Sequence, residues 1–434
     1  MASHRRGVLA LAVCVAATTV LTAAASYPDS RPPAAPADTS DALVAALGTG
    51  SVENQRLLGA LKSWILAQPD VDSSGYIDQV NDAENGSVRL LWSGQSPLRA
   101  AAVNRAAELG IDAVIEERPY SLARIDEIAS AVLEHADDIT AAGFTVSSVV
   151  GVQADTAGIQ VEGDFVRGPV NDQARDSLLE SVKTVVAGVA GVALDVLPGH
   201  SASTAGGTRA DSTAPFFAGS YIQMQASEST CSTGFSMRVN GVDHATTARH
   251  CDPRGDVFRA RDGKAIVGSG LVTSRDGAMT VLTGPGTGRT FDGAWNDAKG
   301  YNKRVHNRYD VGLNDRVCTS GGNSGVHCGI KVTATAVYAD DGSGRFSNVR
   351  GEQQNSGAIA AIQGDSGGPV FVPYGGALNG YVGAVGMIQF VQDASTKGCG
   401  SVHDSGGKCS RTVLFSTIET IERRGEIGAT LVTE

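Results

Sequence analysis

The sequence predicts a two-part chain, in which an α/β or α+β region is followed by an all-β domain. Charge, glycine and cysteine are all distributed unevenly along the 434 residues. Residues 27–210 carry 25 acidic and 12 basic side chains, whereas residues 211–434 carry 21 of each. Of the 54 glycines, 36 lie after position 210, as do six of the seven cysteines. Such changes of composition indicate two domains of different construction.

The overall composition excludes several classes of protein. Hydrophobic residues make up 42% of the chain and charged residues 19%, which is typical of a globular protein rather than a disordered one. The formal net charge of −11 argues against a generally basic nucleic-acid-binding protein, so no nucleic-acid partner is predicted. No cofactor and no metal are predicted.

The first residues predict a signal peptide over residues 1–25. A basic start at Arg5 and Arg6 precedes an almost wholly apolar run over residues 7–22, and three alanines then suit a cleavage site. The alternative is an uncleaved membrane anchor, but the apolar run is shorter than a bilayer requires. The prediction is therefore a secreted, extracellular protein without a membrane contact after cleavage. Residues 26–40 predict a flexible lead-in.

Helix and strand patterns alternate between residues 41 and 198. Apolar residues recur at helical spacing in several runs, two of which end at Gly110 and Gly143, a residue type common just past a helix end. No pattern of catalytic residues lies in this α/β region. Helices are predicted at 41–68, 97–109, 125–142 and 173–187, and strands at 88–92, 113–116, 146–153, 158–161 and 192–196.

The rest of the chain differs in amino-acid composition and in the spacing of its apolar residues. Residues 199–215 are small, polar and rich in glycine, which predicts a linker that a protease can reach. Residues 216–434 contain short apolar runs separated by turns with glycine, which predicts an all-β sandwich or barrel. Only residues 416–423, near the end, have a helical pattern. Strands are predicted at 221–225, 235–239, 278–282, 332–337, 369–372 and 382–388.

Three segments of the β-rich part fit one mechanism. Ser366 lies in Gly-Asp-Ser-Gly-Gly-Pro, where the glycines allow the backbone to approach a bound carbonyl group closely. His250 precedes a cysteine that can fix its backbone, and Asp276 stands at the head of an apolar strand. A serine, a base and an acid that orients the base are the requirements of nucleophilic acyl transfer.

Through these segments, residues 216–434 resemble the chymotrypsin-like serine proteases of the secreted bacterial branch, which includes the streptogrisins and α-lytic protease. The resemblance implies two six-stranded antiparallel Greek-key barrels and a C-terminal helix. It implies that His250 is the general base, Asp276 its orienting acid and Ser366 the nucleophile, in the chain order of chymotrypsin. The backbone N–H groups of Gly364 and Ser366 would form the oxyanion hole.

Asp310 remains the alternative acid, because it too precedes an apolar residue. The resemblance also locates the substrate pocket, expected around Ala360, Ala361 and Gly386. A preference for lysine or arginine needs a carboxylate six residues before the nucleophile in that family, and here the position is Ala360. We therefore expect cleavage after uncharged side chains.

The six cysteines after position 210 predict three disulfides, since no Cys-x-x-Cys or Cys-x-x-His pair suggests a metal site. Six cysteines allow 15 pairings. Cys231–Cys251, Cys318–Cys328 and Cys399–Cys409 are the plausible set. The resemblance supports the first two pairs. The third departs from the family, in which that bridge usually begins shortly before the nucleophile.

Two further departures concern Asp365. The chain has no Ile-Val-Gly-Gly-like segment that would supply a new amino terminus to pair with this carboxylate. Bacterial relatives often use an arginine after the cysteine of the middle disulfide, where this chain has Thr319. The sequence identifies no partner for Asp365.

By resemblance, residues 41–198 are a pro-region that assists folding, inhibits the protease and is removed by a cut in the linker. The predicted function is a secreted serine endopeptidase made as a proenzyme. It would act as a monomer on protein or peptide substrates, with its own pro-region as partner. One alternative is an inactive homologue that serves as a secreted binding module. Another is that residues 41–198 form a permanent ligand-binding domain.

Overall fold

A computed structural model gives the fold of most of the chain. The predicted signal peptide and most of the predicted linker lie outside the described residues. No helix within the described part is long and apolar enough to cross a bilayer. The structure describes residues 40–166, 172–198, 202–204, 209, 212–252, 255–261, 265–297, 301–375, 378, 380–403, 406–424 and 426–434.

The N-terminal region (residues 41–198) begins with a three-stranded sheet and two helices. β1 is antiparallel to β2, which is parallel to β3, and Leu61, Leu90 and Trp92 belong to their common core. Strand β1 was not predicted, because its buried residues include polar ones such as Gln79 and Asn81. The elements are α1 (Asp41–Leu66, kinked at Gly48), β1 (Tyr76–Asp82), β2 (Ser87–Trp92), α2 (Pro97–Glu108) and β3 (Asp112–Glu117).

A second layer completes the N-terminal region. The single helix predicted at 125–142 is wrong, because the chain leaves helical geometry at His135 and forms two helices. β4 is antiparallel to β5, which is parallel to β6, and Val132, Phe144 and Val182 belong to the core beneath them. The elements are α3 (Leu122–Glu134), α4 (Ala136–Ala141), β4 (Phe144–Gln153), β5 (Gln160–Phe165), α5 (Asp172–Ala190) and β6 (Asp195–Pro198).

The β-rich region forms two barrels, as predicted. The first barrel encloses Phe235, Phe258 and Leu282, and β15 continues from it toward the second. The pairing of β8 with β15 is parallel, so the barrel is not purely antiparallel. Its strands, after β7 (Ala202–Thr204), are β8 (Phe216–Ala218), β9 (Tyr221–Met224), β10 (Thr230–Ser232), β11 (Gly234–Val239), β12 (Val242–Ala248), β13 (Val257–Arg259), β14 (Ile266–Ser274), β15 (Met279–Phe291) and the late β25 (Thr430–Leu431).

The second barrel encloses Ile330, Ile388 and Phe415, and the predicted C-terminal helix follows it. One of its pairings, β16 with β22, is also parallel. Its elements are β16 (Asn302–Arg308), β17 (Arg316–Gly321), β18 (Gly325–Asp340), β19 (Arg345–Gln353), β20 (Ala361–Ile362), β21 (Pro369–Pro373), β22 (Tyr381–Gln392), β23 (Cys409–Ser410), β24 (Thr412–Thr417) and α6 (Ile418–Arg424).

The N-terminal region extends the sheet of the second barrel beyond the predicted six strands. β4 pairs antiparallel with β18, with Val150 opposite Val337. The short β7 pairs antiparallel with β22, with Thr204 opposite Phe390. Val150 is buried in one apolar cluster with Val337 and Phe390. Shared hydrogen bonds and a shared apolar cluster therefore join the two regions.

Buried charges reinforce this junction. Glu162 of β5 binds Arg350 of β19, and both side chains are at most 10% exposed. At the start of α1, Asp41 accepts a 2.6 Å bond from the Lys303 ammonium, which also lies 3.3 Å from Asp292. Burying these ions costs free energy that only close pairing recovers, so their side chains are tightly matched across the junction.

Candidate active site

Ser366 lies in the turn between β20 and β21. The turn requires glycine: Gly364 and Gly367 have φ angles of 119° and 87°. A Cβ atom on Gly367 would also lie 2.3 Å from the carbonyl oxygen of Ser232, so no larger residue fits. The Ser232 N–H donates to the Ser366 carbonyl oxygen at 2.7 Å, which ties the turn to the first barrel.

His250 comes from the other barrel and meets this serine. It lies in a single 3₁₀ turn, Arg249–Cys251, directly after β12. Its Nε2 atom is 2.7 Å from Ser366 Oγ, and its ring stacks on Phe390. Burial lowers the pKa of His250 to about 4, although the negative charge of Asp341 opposes this. The imidazole is therefore neutral at pH 7, and Nε2 can accept the proton of the Ser366 hydroxyl.

Asp276 is not brought to His250. Its carboxylate is half-exposed, and its ion-pair partner is Arg424, at 3.6 Å. The turn is also held by Glu426, whose Oε2 accepts bonds from Ser274 Oγ and from the Asp276 N–H. In this structure the carboxylate of Asp276 faces solvent and Arg424, and its role as the orienting acid stays a prediction.

The alternative acid, Asp310, is not at His250 either. Its side chain accepts hydrogen bonds from Ser63 of α1 at 2.6 Å and from Arg308 at 2.9 Å. Within the described structure, the Nδ1 atom of His250 is buried without a hydrogen-bond partner. The acid that a triad requires is therefore missing from the position beside Nδ1.

Asp341 is the carboxylate whose charge acts on His250. Its side chain is fully buried and binds Arg249, the residue before the histidine, through two hydrogen bonds of 2.7 and 3.0 Å. Asp341 lies in the turn between β18 and β19, 91 positions beyond His250 in sequence. No local pattern in the sequence could have connected these residues.

The residues predicted to form the substrate pocket lie on β20, just before it, and on β22. Ala360 and Ala361 are fully buried near Ser366, and β20 pairs with β23. Gly386 lies deeper in the barrel, where a Cβ atom would be 1.9 Å from the carbonyl oxygen of Ser416. The part of β22 that reaches the serine begins later, since the carbonyl oxygen of Gln389 is 3.4 Å from Ser366 Oγ. Gly386 therefore precedes the part of β22 that reaches the serine, and its role in the pocket stays a prediction.

The six cysteines form the three pairs expected, Cys231–Cys251, Cys318–Cys328 and Cys399–Cys409. The first pair bonds the residue after His250 to β10, so it fixes the backbone of the candidate base. No group of three or more His, Cys, Asp or Glu side chains suited to a metal ion is present in the part of the chain that the structure describes.

Comparison with solved structures finds several bacterial proteases that are similar to about half of this chain. Half of the chain is similar to Nocardiopsis protease (NAPase), at 18% identity, a TM-score of 0.35 and 98% coverage of that chain. Thermobifida fusca protease A gives 20% identity with the same TM-score and coverages. Cellulomonas bogoriensis chymotrypsin gives 21% identity, again with a TM-score of 0.35, 50% coverage of this chain and 98% of that chain. No family model and no curated protein sequence matches the chain.

Proposed function

We propose that this chain is a secreted serine endopeptidase made as a proenzyme. The observation that carries the proposal is the 2.7 Å contact between His250 Nε2 and Ser366 Oγ, which joins residues from the two barrels. A serine hydroxyl beside a neutral imidazole, at the end of a glycine-bounded turn, suits nucleophilic attack on a carbonyl group. No cofactor and no metal takes part in this proposal.

In the proposed reaction, Ser366 Oγ attacks the carbonyl carbon of a peptide bond while His250 Nε2 takes the hydroxyl proton. The N–H groups of Gly364 and Ser366 would stabilise the negative oxygen of the tetrahedral intermediate. Collapse of that intermediate breaks the C–N bond, and His250 returns the proton to the leaving amine. Water, deprotonated by His250 in turn, then hydrolyses the ester on Ser366.

We propose Asp276 as the acid that completes the triad after a local rearrangement. The turn that bears it is already adjacent, since the Arg249 N–H donates to the Ala278 carbonyl oxygen at 2.7 Å. Releasing the carboxylate from Arg424 would free it to accept a bond from His250 Nδ1–H. Such a bond would raise the pKa of His250, because it stabilises the protonated ring, and so strengthen it as a base.

The N-terminal region is proposed to be a removable inhibitor that also assists folding. The linker segment β7, which follows this region, pairs with β22 at Phe390, the residue that stacks on His250. In this proposal, β7 occupies the edge of β22 along which a substrate strand would otherwise pair. The β-rich region contains many long-range strand pairs, which form slowly, so an N-terminal partner that binds β18 can speed its folding. A cut within residues 199–215 would release the enzyme.

The test is to express the full chain as it is made and to label it with a fluorophosphonate probe. We expect the secreted wild type to lose the N-terminal region, as intact mass shows, and to react with the probe. Ser366→Ala should lower peptide turnover by on the order of 10⁶ and stay unlabelled. Ser356→Ala, at an exposed position ten residues away, is the matched control. Hydrolysis by purified Ser366→Ala would disprove the assignment of the nucleophile.

An inactive homologue that acts as a binding module is the second candidate. The observation in its favour is that Asp276 binds Arg424 rather than His250, which leaves the triad incomplete. This reading predicts a folded, processed wild-type protein that does not react with the probe. Processing of Ser366→Ala at the normal rate would further show that another protease makes the cut.

A further inference from the structure

Two buried charges near the active site lack a direct counter-ion. Asp365, beside the candidate nucleophile, is 1% exposed, and Arg209, from the predicted linker, is 5% exposed. Among the residues described here, neither side chain belongs to an ion pair. A buried charge without an ion-pair partner is costly, and these two charges are of opposite sign.

Asp365 is bound by neutral donors. One carboxylate oxygen accepts 3.1 Å bonds from the N–H groups of Asn323 and Ser324, and the other accepts bonds from Ser324 Oγ and the Ile362 N–H. Burial raises the pKa of Asp365, whereas these four donors lower it. These four hydrogen bonds fix the position of the Asp365 carboxylate, but none of the donors carries a positive charge.

The guanidinium group of Arg209 is held near the end of β17, at Ser320. Its Nη1 donates to Ser320 Oγ at 2.8 Å, its Nη2 to the Gly293 carbonyl oxygen, and its Cζ lies 5.2 Å from the centre of the Phe291 ring. The Tyr221 N–H donates to its carbonyl oxygen at 2.7 Å. All these partners belong to the β-rich region, although Arg209 comes from the predicted linker.

Ser320 and Gly321, at the end of β17, separate the two charges. Ser320 holds the guanidinium group, and a Cβ atom on Gly321 would lie 1.9 Å from the Asp365 carboxyl carbon. Consecutive residues of β17 therefore contact the cation and the carboxylate. Burial lowers the pKa of Arg209 to about 10, and the charges of Asp292, Asp365 and Asp297 oppose that shift. Arg209 is still charged at neutral pH.

We propose that Arg209 is a positioning residue that supplies the counter-charge for Asp365 and so holds the turn of residues 364–366. This inference deepens the proposed peptidase function and depends on it. In a poorly screened interior, a cation held at the neighbouring residue of β17 stabilises the ionised carboxylate without touching it. The ionised carboxylate in turn keeps the N–H groups of Gly364 and Ser366 in the orientation that the tetrahedral intermediate requires.

The proposal also assigns Arg209 to the mature enzyme. Segment β7, at residues 202–204, pairs beside the candidate active site, whereas Arg209 is anchored to the first barrel and to β17. The maturing cut must therefore fall before Arg209, so that the arginine stays with the β-rich region. This consequence can be checked without any substitution, by sequencing the amino terminus of the active product.

The test compares Arg209→Met, which removes the charge, with Arg209→Lys, which keeps it, in the full chain. Variants that do not process themselves are cut by tagged wild-type enzyme, which is then removed. We expect Arg209→Met to lower kcat on a peptide substrate by about 10- to 100-fold with KM nearly unchanged, because oxyanion stabilisation acts on the transition state. Arg209→Lys should stay within about fivefold of wild type.

Arg238→Met is the control and should leave kcat unchanged, since Arg238 is an exposed arginine paired with Asp243 on the first barrel.

Equal kcat in Arg209→Met and wild type would overturn the proposal, as would an active product that starts after Arg209. Equal loss in the Lys and Met variants would also overturn the proposal, because the lysine keeps the positive charge that the proposal requires. If Arg209→Met fails to fold, Ser320→Ala, which removes one anchor and keeps the cation, should lower kcat by a smaller factor. An unchanged kcat in that variant would count against the proposal. An inactive wild type would instead refute the peptidase function itself.

Discussion

The buried pair between Glu162 and Arg350 allows a quantitative test of how the N-terminal region is held. We predict that Glu162→Gln weakens this attachment strongly, because it leaves the Arg350 charge buried in the junction. Glu162 also accepts bonds from Ser148 Oγ at 2.7 Å and from Gln392 Nε2 at 3.3 Å, and a glutamine oxygen can keep these. The substitution therefore removes the charge while preserving shape.

The expected magnitude follows from burial. Removing one partner of a buried ion pair costs about 3–5 kcal/mol when the other charge is left uncompensated. Here Arg350 retains Glu352, at 3.4 Å and 42% exposed, which recovers part of this cost. We therefore expect Glu162→Gln to lower the free energy of unfolding by about 2–3 kcal/mol.

The assay is urea unfolding of the full chain in a Ser366→Ala background, which prevents self-cleavage. Glu180→Gln, on the exposed face of α5 and paired with Lys183, is the matched control and should cost less than about 0.5 kcal/mol. A double-mutant cycle with Arg350→Met isolates the interaction between the two charges. A coupling free energy no larger than that of the exposed pair would refute the reasoning.

Two further predictions concern the mature enzyme. Asp276→Asn should lower kcat on a peptide substrate by on the order of 10⁴, whereas Asp310→Asn should change kcat little. If, of these three acids, only Asp341→Asn lowers kcat, then Asp276 is not the orienting acid. A peptide-library digest should show cleavage after uncharged side chains, because Ala360 and Ala361 supply no carboxylate, and a digest dominated by cuts after lysine or arginine would contradict this.

Short apolar runs separated by glycine turns predicted an all-β sandwich or barrel in the second part of the chain. The two barrels, two of the disulfide pairs and the roles of His250 and Ser366 were implied only by the family resemblance, which the glycines around the serine and the cysteine beside the histidine carry. The orientation of Asp276 was not predictable, since it depends on Glu426 and Arg424, which are about 150 residues further along the chain.

The junction between the two regions was also beyond prediction. Strand β1 has polar buried residues because Asn81 Nδ2 donates to Asp315 Oδ1 of the β-rich region, at 2.7 Å. Taken alone, such a segment has the composition of a loop. Similarly, Arg209 lies in a segment whose small, polar composition indicates a linker, and only its tertiary contacts show that it is buried.

The pairing of β4 with β18 has a consequence for the protein after processing. Loss of the N-terminal region would uncover main-chain N–H and C=O groups along residues 334–338, on an apolar edge that includes Val337 and Tyr338. Bare edges of this kind recruit other strands. The edge is interrupted at Ala336, where φ is 50° and the register shifts, and such a bulge bends the strand. An intact N-terminal region that had been cut from the enzyme could pair again with this exposed edge of β18. Activation would therefore become permanent only once the N-terminal region had been degraded.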